Sequence, residues 1–503
     1  MPSSDKYFEN ESISKDLGRK TTRSGLITLG GQGARLLLQV GSTVLLARLL
    51  TPDDFGLLGM VAVIVNFVTL FKDFGLSKAT LQRPKITEAQ ISNLFWINAL
   101  ISILIGLIII VLSRVIAGFY GRAELVAVSV ALGGLVALQG FGLQHRALIA
   151  RRMEFGKLSI IAIVSQLVGV SLAVAMALGG YGYWALIALM GTPPLVEAIS
   201  CIVVTAWVPR LPQMNVGTAP YLKYGSNMLG FSLANFFSRN LDNILIGKFL
   251  GANVLGLYNM SYNMLLLPMQ QINAPLSKPV LVALSRIQND ADRYRLAYRK
   301  SLRAVATFTI PIVLFLASDP RLILTTILGA QWEASAAIFF ALTPFAFVSA
   351  TNVATGWVYS SLGHTDRQFR MGLFSSSVMS LSIIIGMQYG ALGVAIAASL
   401  ASCVLRVPVI LYCFRDTPLR LLDFLQSIRV PTLKALLALI VALGVCGGGS
   451  VFGELSQIVE LLLLGGTYWL VYMMLLLREH DSESFMKILM PMVRSRLDAM
   501  KKG

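Results

Sequence analysis

Two apolar segments, two hundred residues apart, carry the same polar stripe at helical spacing. In the first, Gln32, Arg35, Gln39 and Ser42 recur at i, i+3, i+7 and i+10; in the second, Ser232, Asn235, Arg239 and Asp242 hold the same four places. An α-helix returns every 3.6 residues, so each set lines one face. The correspondence continues outside the stripe. Ala47-Arg48-Leu49-Leu50 answers Gly247-Lys248-Phe249-Leu250, Phe55-Gly56-Leu57 answers Leu255-Gly256-Leu257, and Leu76-Ser77-Lys78 answers Leu276-Ser277-Lys278. The chain is therefore read as a duplication whose halves each offer one polar helix face. Two such faces in an apolar medium describe a pathway for a polar solute.

Composition identifies the medium. Of 503 residues 55% are hydrophobic and only 13% charged, against about 25% charged in soluble domains. An all-α polytopic membrane protein is expected, with the lipid bilayer as its solvent. The net charge of +17 does not indicate nucleic acid, because the basic residues sit in short connectors, where membrane topology puts them. Cys201, Cys403, Cys413 and Cys446 lie in or at the ends of apolar runs, without metal-ligand spacing, and read as small hydrophobes. No metal and no cofactor is expected, and no phosphate-cradling loop of an ATP engine occurs. The adjacent acids Asp53-Asp54 read as an exposed turn or helix cap rather than a cation site.

A membrane span needs about 20 mostly apolar residues. Fourteen candidates follow: 26–50, 55–71, 93–113, 124–143, 158–178, 183–207, 225–247, 254–277, 303–318, 335–360, 370–388, 391–413, 431–451 and 457–477. The ninth is short, and Asp319-Pro320-Arg321 separates it from an apolar continuation expected to be re-entrant or interfacial. With the N-terminus in the cytoplasm, 34 of the 42 lysines and arginines fall in cytoplasmic segments and 5 in outer connectors. That bias predicts cytoplasmic termini and an even number of spans. Six spans separate the two stripes, so the repeat is parallel, about an axis along the membrane normal. The predicted organisation is a tail at 1–25, an N-lobe of six spans at 26–207 and a Pro-rich linker at 208–224. A C-lobe of six spans follows at 225–414, then two extra spans with their loop at 415–477 and a tail at 478–503. The basic, tyrosine-bearing stretch 278–303 reads as an amphipathic helix on lipid headgroups or as topology-setting charge.

Charges inside spans are the candidate functional residues, because each costs about 2.5–3.5 kcal/mol on insertion scales and so faces protein or water. Arg35 has no acid within a helical turn. It either binds an anionic group, as a planar donor suited to phosphate, or holds a tertiary contact. Arg239 and Asp242 sit three apart and pair locally, or else Arg239 joins Arg35 in a cationic patch while Asp242 carries a coupling proton. Gln32, Gln39 and Asn235 complete the proposed wall. Arg406 in the twelfth span is a further binding candidate, near enough to the cytoplasmic end to snorkel. Glu197, after Pro193-Pro194, and Asp73, at the cytoplasmic mouth of the second span, are coupling or gating candidates.

These residues carry a resemblance. The run Arg239-Asn240-Leu241-Asp242-Asn243-Ile244-Leu245-Ile246-Gly247-Lys248-Phe249-Leu250-Gly251, with Leu255-Gly256-Leu257-Tyr258 after it, resembles the seventh span and outer turn of Wzx-type bacterial polysaccharide exporters. Ala47-Arg48-Leu49-Leu50-Thr51-Pro52-Asp53-Asp54-Phe55-Gly56 is similar to that family's first turn, and Asp73-Phe74-Gly75-Leu76 to the close of its second span. The likeness spans about residues 20 to 480 and is strongest toward the colanic-acid and succinoglycan-exporter branch. It implies two pseudo-symmetric six-helix lobes of the multidrug/oligosaccharidyl-lipid/polysaccharide superfamily, plus two C-terminal helices. The implied function is flipping of undecaprenyl-diphosphate-linked oligosaccharide repeat units across the inner membrane, without enzymatic activity. The implied partners are that lipid-linked substrate and a glycan polymerase with its co-polymerase. An ion-coupled multidrug antiporter of the same superfamily is the alternative. It would favour acids over the arginines found on the stripe.

Overall fold

The structure is a computed structural model that describes residues 17–69, 86–213, 236, 240–447 and 456–478. Among them every regular element is helical. Where they are described, the expected spans coincide with helix, although span seven is described only at 236 and 240–247, and the chain is an all-α polytopic membrane protein. In chain order the helices are α1 (Leu17–Leu49), α2 (Pro52–Thr69), α3 (Glu88–Tyr120), α4 (Glu124–Gln139), α5 (Leu143–Arg151), α6 (Phe155–Leu178) and α7 (Tyr183–Thr205). After them come α8 (240–250) and α9 (Ala252–Arg286). The remainder are α10 (Ala291–Leu316), α11 (Pro320–Leu328), α12 (Ser335–Ala350), α13 (Val353–Ser361), α14 (Thr365–Gly386), α15 (Gly390–Phe414), α16 (Leu421–Gly447) and α17 (Gln457–Leu477).

Among the described residues eight helical segments are by themselves long and apolar enough to cross a bilayer, and a ninth if α10 and α11 count together. One of the eight, 365–414, is a hairpin rather than a single rod. It turns at Gly390, whose φ of 71° suits a residue without Cβ, and Gly386 and Gly393 bring its arms into backbone contact. α1 falls short of that standard because its own sequence carries Gln32, Arg35 and Gln39.

The chain divides into two compact units, residues 1–259 and 260–503. In the first, Leu46 and Leu50 of α1 pack with Ala173 of α6 and Ala185 and Leu186 of α7. α3 and α4 approach through Gly106 and Gly133, each of whose missing Cβ would meet the other's carbonyl oxygen at 2.4 and 2.8 Å. Small residues let membrane helices approach this closely and gain dispersion contact. α3 ends at Gly121, in the left-handed region. The expected linker 208–224 is described only to residue 213.

In the second unit, α10 and α11 meet at 88°. Asp319 accepts the Leu322 N–H at 2.9 Å and Pro320 opens the helix, so the apolar stretch beyond span nine turns aside instead of lengthening it. The stretch 278–303 departs from a separate surface helix. It forms the ends of α9 and α10, and Tyr294, Tyr298 and Leu302 are buried against Trp357, Val358 and Phe414. Its tyrosine periodicity records packing against other helices, not against headgroups. The two spans outside the repeat dock on α10. Ala435, Ala438 and Ala442 of α16 and Tyr468 and Tyr472 of α17 pack on Ala306 and Ile310.

Candidate functional site

The polar face of α1 changes character along its length. Gln32, Arg35 and Gln39 are exposed. The next residues on that face are Ser42, Leu46 and Leu50, at 2%, 0% and 4% exposure. Meanwhile Gly31, beside the stripe, meets α6, with its Cβ position 2.9 Å from the Ser159 Cβ. One helix face is thus open in its N-terminal half and closed in its C-terminal half. Among the described residues Arg35 enters no ion pair.

The second stripe is described at its C-terminal end. Asp242 is half-buried and accepts a hydrogen bond from the Tyr258 hydroxyl at 3.1 Å and another from the Asn243 N–H at 2.8 Å. A turn later Ile246, the repeat mate of Leu46, is fully buried. Lys248 donates to the Phe119 carbonyl at the end of α3 and lies 4.9 Å from that residue's ring centroid. Arg239, Asn235 and Asp73 lie outside the described residues.

The turn between α1 and α2 is held by the adjacent acids Asp53 and Asp54. Asp54 accepts from the backbone N–H and the hydroxyl of Thr51, at 2.9 and 2.7 Å. Asp53 takes both terminal nitrogens of Arg122, at 2.7 and 3.2 Å, tying α2 to the loop after α3. The adjacent acids therefore divide into a helix cap and a forked ion pair.

Both remaining charge candidates tie a helical segment that a short turn interrupts without a sharp bend. Span four breaks at the 3-10 turn Gly140–Gly142, between α4 and α5. Span ten, its counterpart six spans on, breaks at Thr351-Asn352 between α12 and α13. In the first unit Glu197 of α7 meets Arg146 of α5 at 3.2 Å. In the second, Arg406 of α15 reaches the break itself. One terminal nitrogen donates to Asn352 Oδ1 at 2.8 Å, and the other to the Thr351 carbonyl and hydroxyl at 3.0 and 3.1 Å. The guanidinium lies 4.7 Å from the Phe424 ring centroid. Neither tie had a signal in the sequence, because the partners are 51 and about 55 residues away and the breaks fall inside apolar runs.

Comparison with known proteins places this architecture. The profile of the polysaccharide biosynthesis protein family matches residues 45–337. The chain belongs to this family. It is 25% identical to the lipopolysaccharide biosynthesis protein WzxC of Escherichia coli over 69% of this chain and 72% of that one. It is 26% identical to the teichuronic acid biosynthesis protein TuaB of Bacillus subtilis, over 71% and 74%. The succinoglycan biosynthesis transport protein ExoT of Rhizobium meliloti is 24% identical over 57% and 58%. Among solved structures, the lipid II flippase MurJ in an inward closed conformation superposes with a TM-score of 0.68 at 16% identity, covering 92% of this chain and all of that one. An inward-facing multidrug resistance transporter of the MATE family and MOP superfamily gives 0.59 at 13% identity, over 76% and 94%. At such identities the structural likeness establishes the fold. The chain is a multi-pass membrane protein of polysaccharide biosynthesis with that fold.

Proposed function

We propose that this protein flips undecaprenyl-diphosphate-linked oligosaccharide repeat units across the bacterial inner membrane by alternating access, with both termini in the cytoplasm. One observation carries the reading: the α1 face is exposed at Gln32, Arg35 and Gln39 and buried from Ser42 onward. Polar side chains do not face acyl chains unsatisfied, so this face lines water. Closure of its outer half leaves that water continuous with the cytoplasm, where lipid-linked repeat units are assembled. The sugars lose hydration that hydrocarbon cannot replace, at several kcal/mol for each unsatisfied polar group, and the wet wall supplies substitutes. Arg35, with Arg239 across the repeat, receives the diphosphate, for which a planar donor is suited. The prenyl tail stays in lipid.

Asp242, held by Tyr258, is the proposed coupling carboxylate. Glu197 and Asp73 are secondary candidates, and Arg406 binds substrate only where its ties to Thr351 and Asn352 release it. The repeat boundary is placed at 208–224, and a polymerase with its co-polymerase takes the flipped unit. The names of the relatives, biosynthesis and transport proteins for several different surface glycans, support a carrier that reads the shared lipid diphosphate. The test is Arg35→Ala, which should abolish glycan export at normal protein level in the membrane, with Arg35→Lys retaining part. Wild-type export by Arg35→Ala would refute the phosphate role.

A further inference from the structure

α2 and α9 start at equivalent places in the repeat, and the first turns of both lie in one compact unit. A methyl placed on Gly56 would sit 1.7 Å from the Ala252 carbonyl oxygen, and one on Gly256 would sit 1.9 Å from that of Pro52. Pro52 and Ala252 are themselves repeat mates, two hundred residues apart. The contact is therefore reciprocal, as at a two-fold interface, where i touches j and the mate of j touches the mate of i. One turn on, Gly59 faces its own mate Asn259, whose Nδ2 lies 2.7 Å from the Gly59 Cβ position. Leu57, Met60 and Leu255 are buried around the crossing.

Carbonyl oxygens of a helix cannot swing aside as a side-chain tip can. Any Cβ at 56 or 256 would force the helices roughly 1 Å or more apart, since real Cβ atoms keep at least 3.0 Å from such neighbours. Glycine is unfavourable inside a helix, so its presence at both mates calls for a reason. Backbone-on-backbone contact supplies one. It involves only weak interactions and no interlocked rotamers, so it can part and re-form without unlocking a packed core.

We propose that Gly56 and Gly256 are the latch of the outer gate. The pathway closes toward the exterior by mutual backbone contact of α2 and α9, and opens by parting them there. This rests on the alternating-access reading above.

The test uses the full chain in cells, with Cys201, Cys403, Cys413 and Cys446 replaced by alanine and Ser42→Cys as reporter. A membrane-impermeant maleimide added outside should leave the parent unlabelled. Gly56→Ala or Gly256→Ala should raise labelling at least fivefold and cut glycan export. Gly134→Ala, whose methyl meets nothing within 4 Å, should do neither. Parental labelling and export in both latch variants would overturn the proposal. A second measurement does not depend on those variants folding. Gly59→Cys with Asn259→Cys should form a disulfide on oxidation that stops export until it is reduced, and undiminished export by the bonded chain would overturn the latch. The two readings fail separately. Normal export by Arg35→Ala with raised labelling in the glycine variants sinks the substrate reading and keeps the latch; lost export by Arg35→Ala with parental labelling in the glycine variants does the reverse.

Discussion

Removing the Tyr472 hydroxyl should destabilise the protein because of a proline four residues from the carbonyl it bonds. Pro311 interrupts α10 and has no N–H, so the carbonyl four residues earlier, on Thr307, loses its helical donor. The Tyr472 hydroxyl supplies one at 2.8 Å, from a side chain 2% exposed. Hydrogen bonds between membrane helices average about 0.6 kcal/mol and reach about 1.7, the mean being low because freed groups find other partners. Thr307 has no other helical donor, and an unsatisfied buried group costs about 1–3 kcal/mol. Tyr472→Phe should therefore cost about 1.5 kcal/mol, roughly tenfold in the unfolding equilibrium. Tyr468 donates at 2.8 Å to the Pro311 carbonyl, which keeps the helical donor of Phe315, so Tyr468→Phe should cost only about 0.5 kcal/mol. Pro311→Ala restores the missing N–H. In that background Tyr472→Phe should also fall to about 0.5 kcal/mol, a coupling of about 1 kcal/mol. Equilibrium unfolding in mixed micelles, reversible and followed by tryptophan fluorescence, measures the cycle. An equal cost of Tyr472→Phe in both backgrounds would refute the argument.

Two further outcomes follow from the ties described above. Arg406→Lys keeps the charge but cannot reach Asn352 and Thr351 together, so it should lower unfolding stability in the same assay by about 1–2 kcal/mol before export is considered; unchanged stability with lost export would instead make Arg406 a substrate contact. The hydrogen bond to Asp53 holds the Arg122 guanidinium above its ordinary range, so its contribution is fully present below that range and is lost only as pH rises through the raised value. Arg122→Gln should therefore cost the same at pH 7 and pH 10, and no more than about 0.5 kcal/mol for a pair one-third exposed, as differential melting in detergent would register.

The spans were legible because each is an apolar run of bilayer length, and the stripe because four polar residues interrupt such a run at one helical phase. The breaks were not. Gly140 and Thr351 sit inside segments whose average hydropathy is that of an unbroken span, and helix breaks at membrane depth depend on what satisfies the freed groups, here partly the Arg406 guanidinium from another helix. The latch was half legible. Phe55-Gly56-Leu57 and Leu255-Gly256-Leu257 were visible as repeat mates, but a contact made by carbonyl oxygens leaves no side-chain mark at Pro52 or Ala252. The stretch 278–303 leaves two readings open for the opposite reason. Tyrosines and arginines alternating at helical spacing look alike whether the apolar face meets headgroups or a bundle, and only the burial of Tyr294 and Tyr298 separates the two.

Charge inside the membrane thus falls into two kinds, distinguished by what the fold does with the donors. Glu197 and Arg406, on the sixth and twelfth spans, each reach back to a broken helix of their own unit: Glu197 to Arg146, and Arg406 through both terminal nitrogens to Thr351 and Asn352. They lie at matching points of the repeat, but only Arg406 satisfies a backbone group at the interruption, the Thr351 carbonyl, whereas Glu197 pairs with a side chain. Arg35 differs. It lies mid-helix, exposed, on a face that is buried two turns further along, and no described acid neutralises it. The insertion cost of such a charge recurs in every molecule made, and among the described residues the fold draws no ion pair from it in return. A guanidinium without an ion pair among the described residues, on an exposed helix face, is suited to an anion, which is the role proposed for it above.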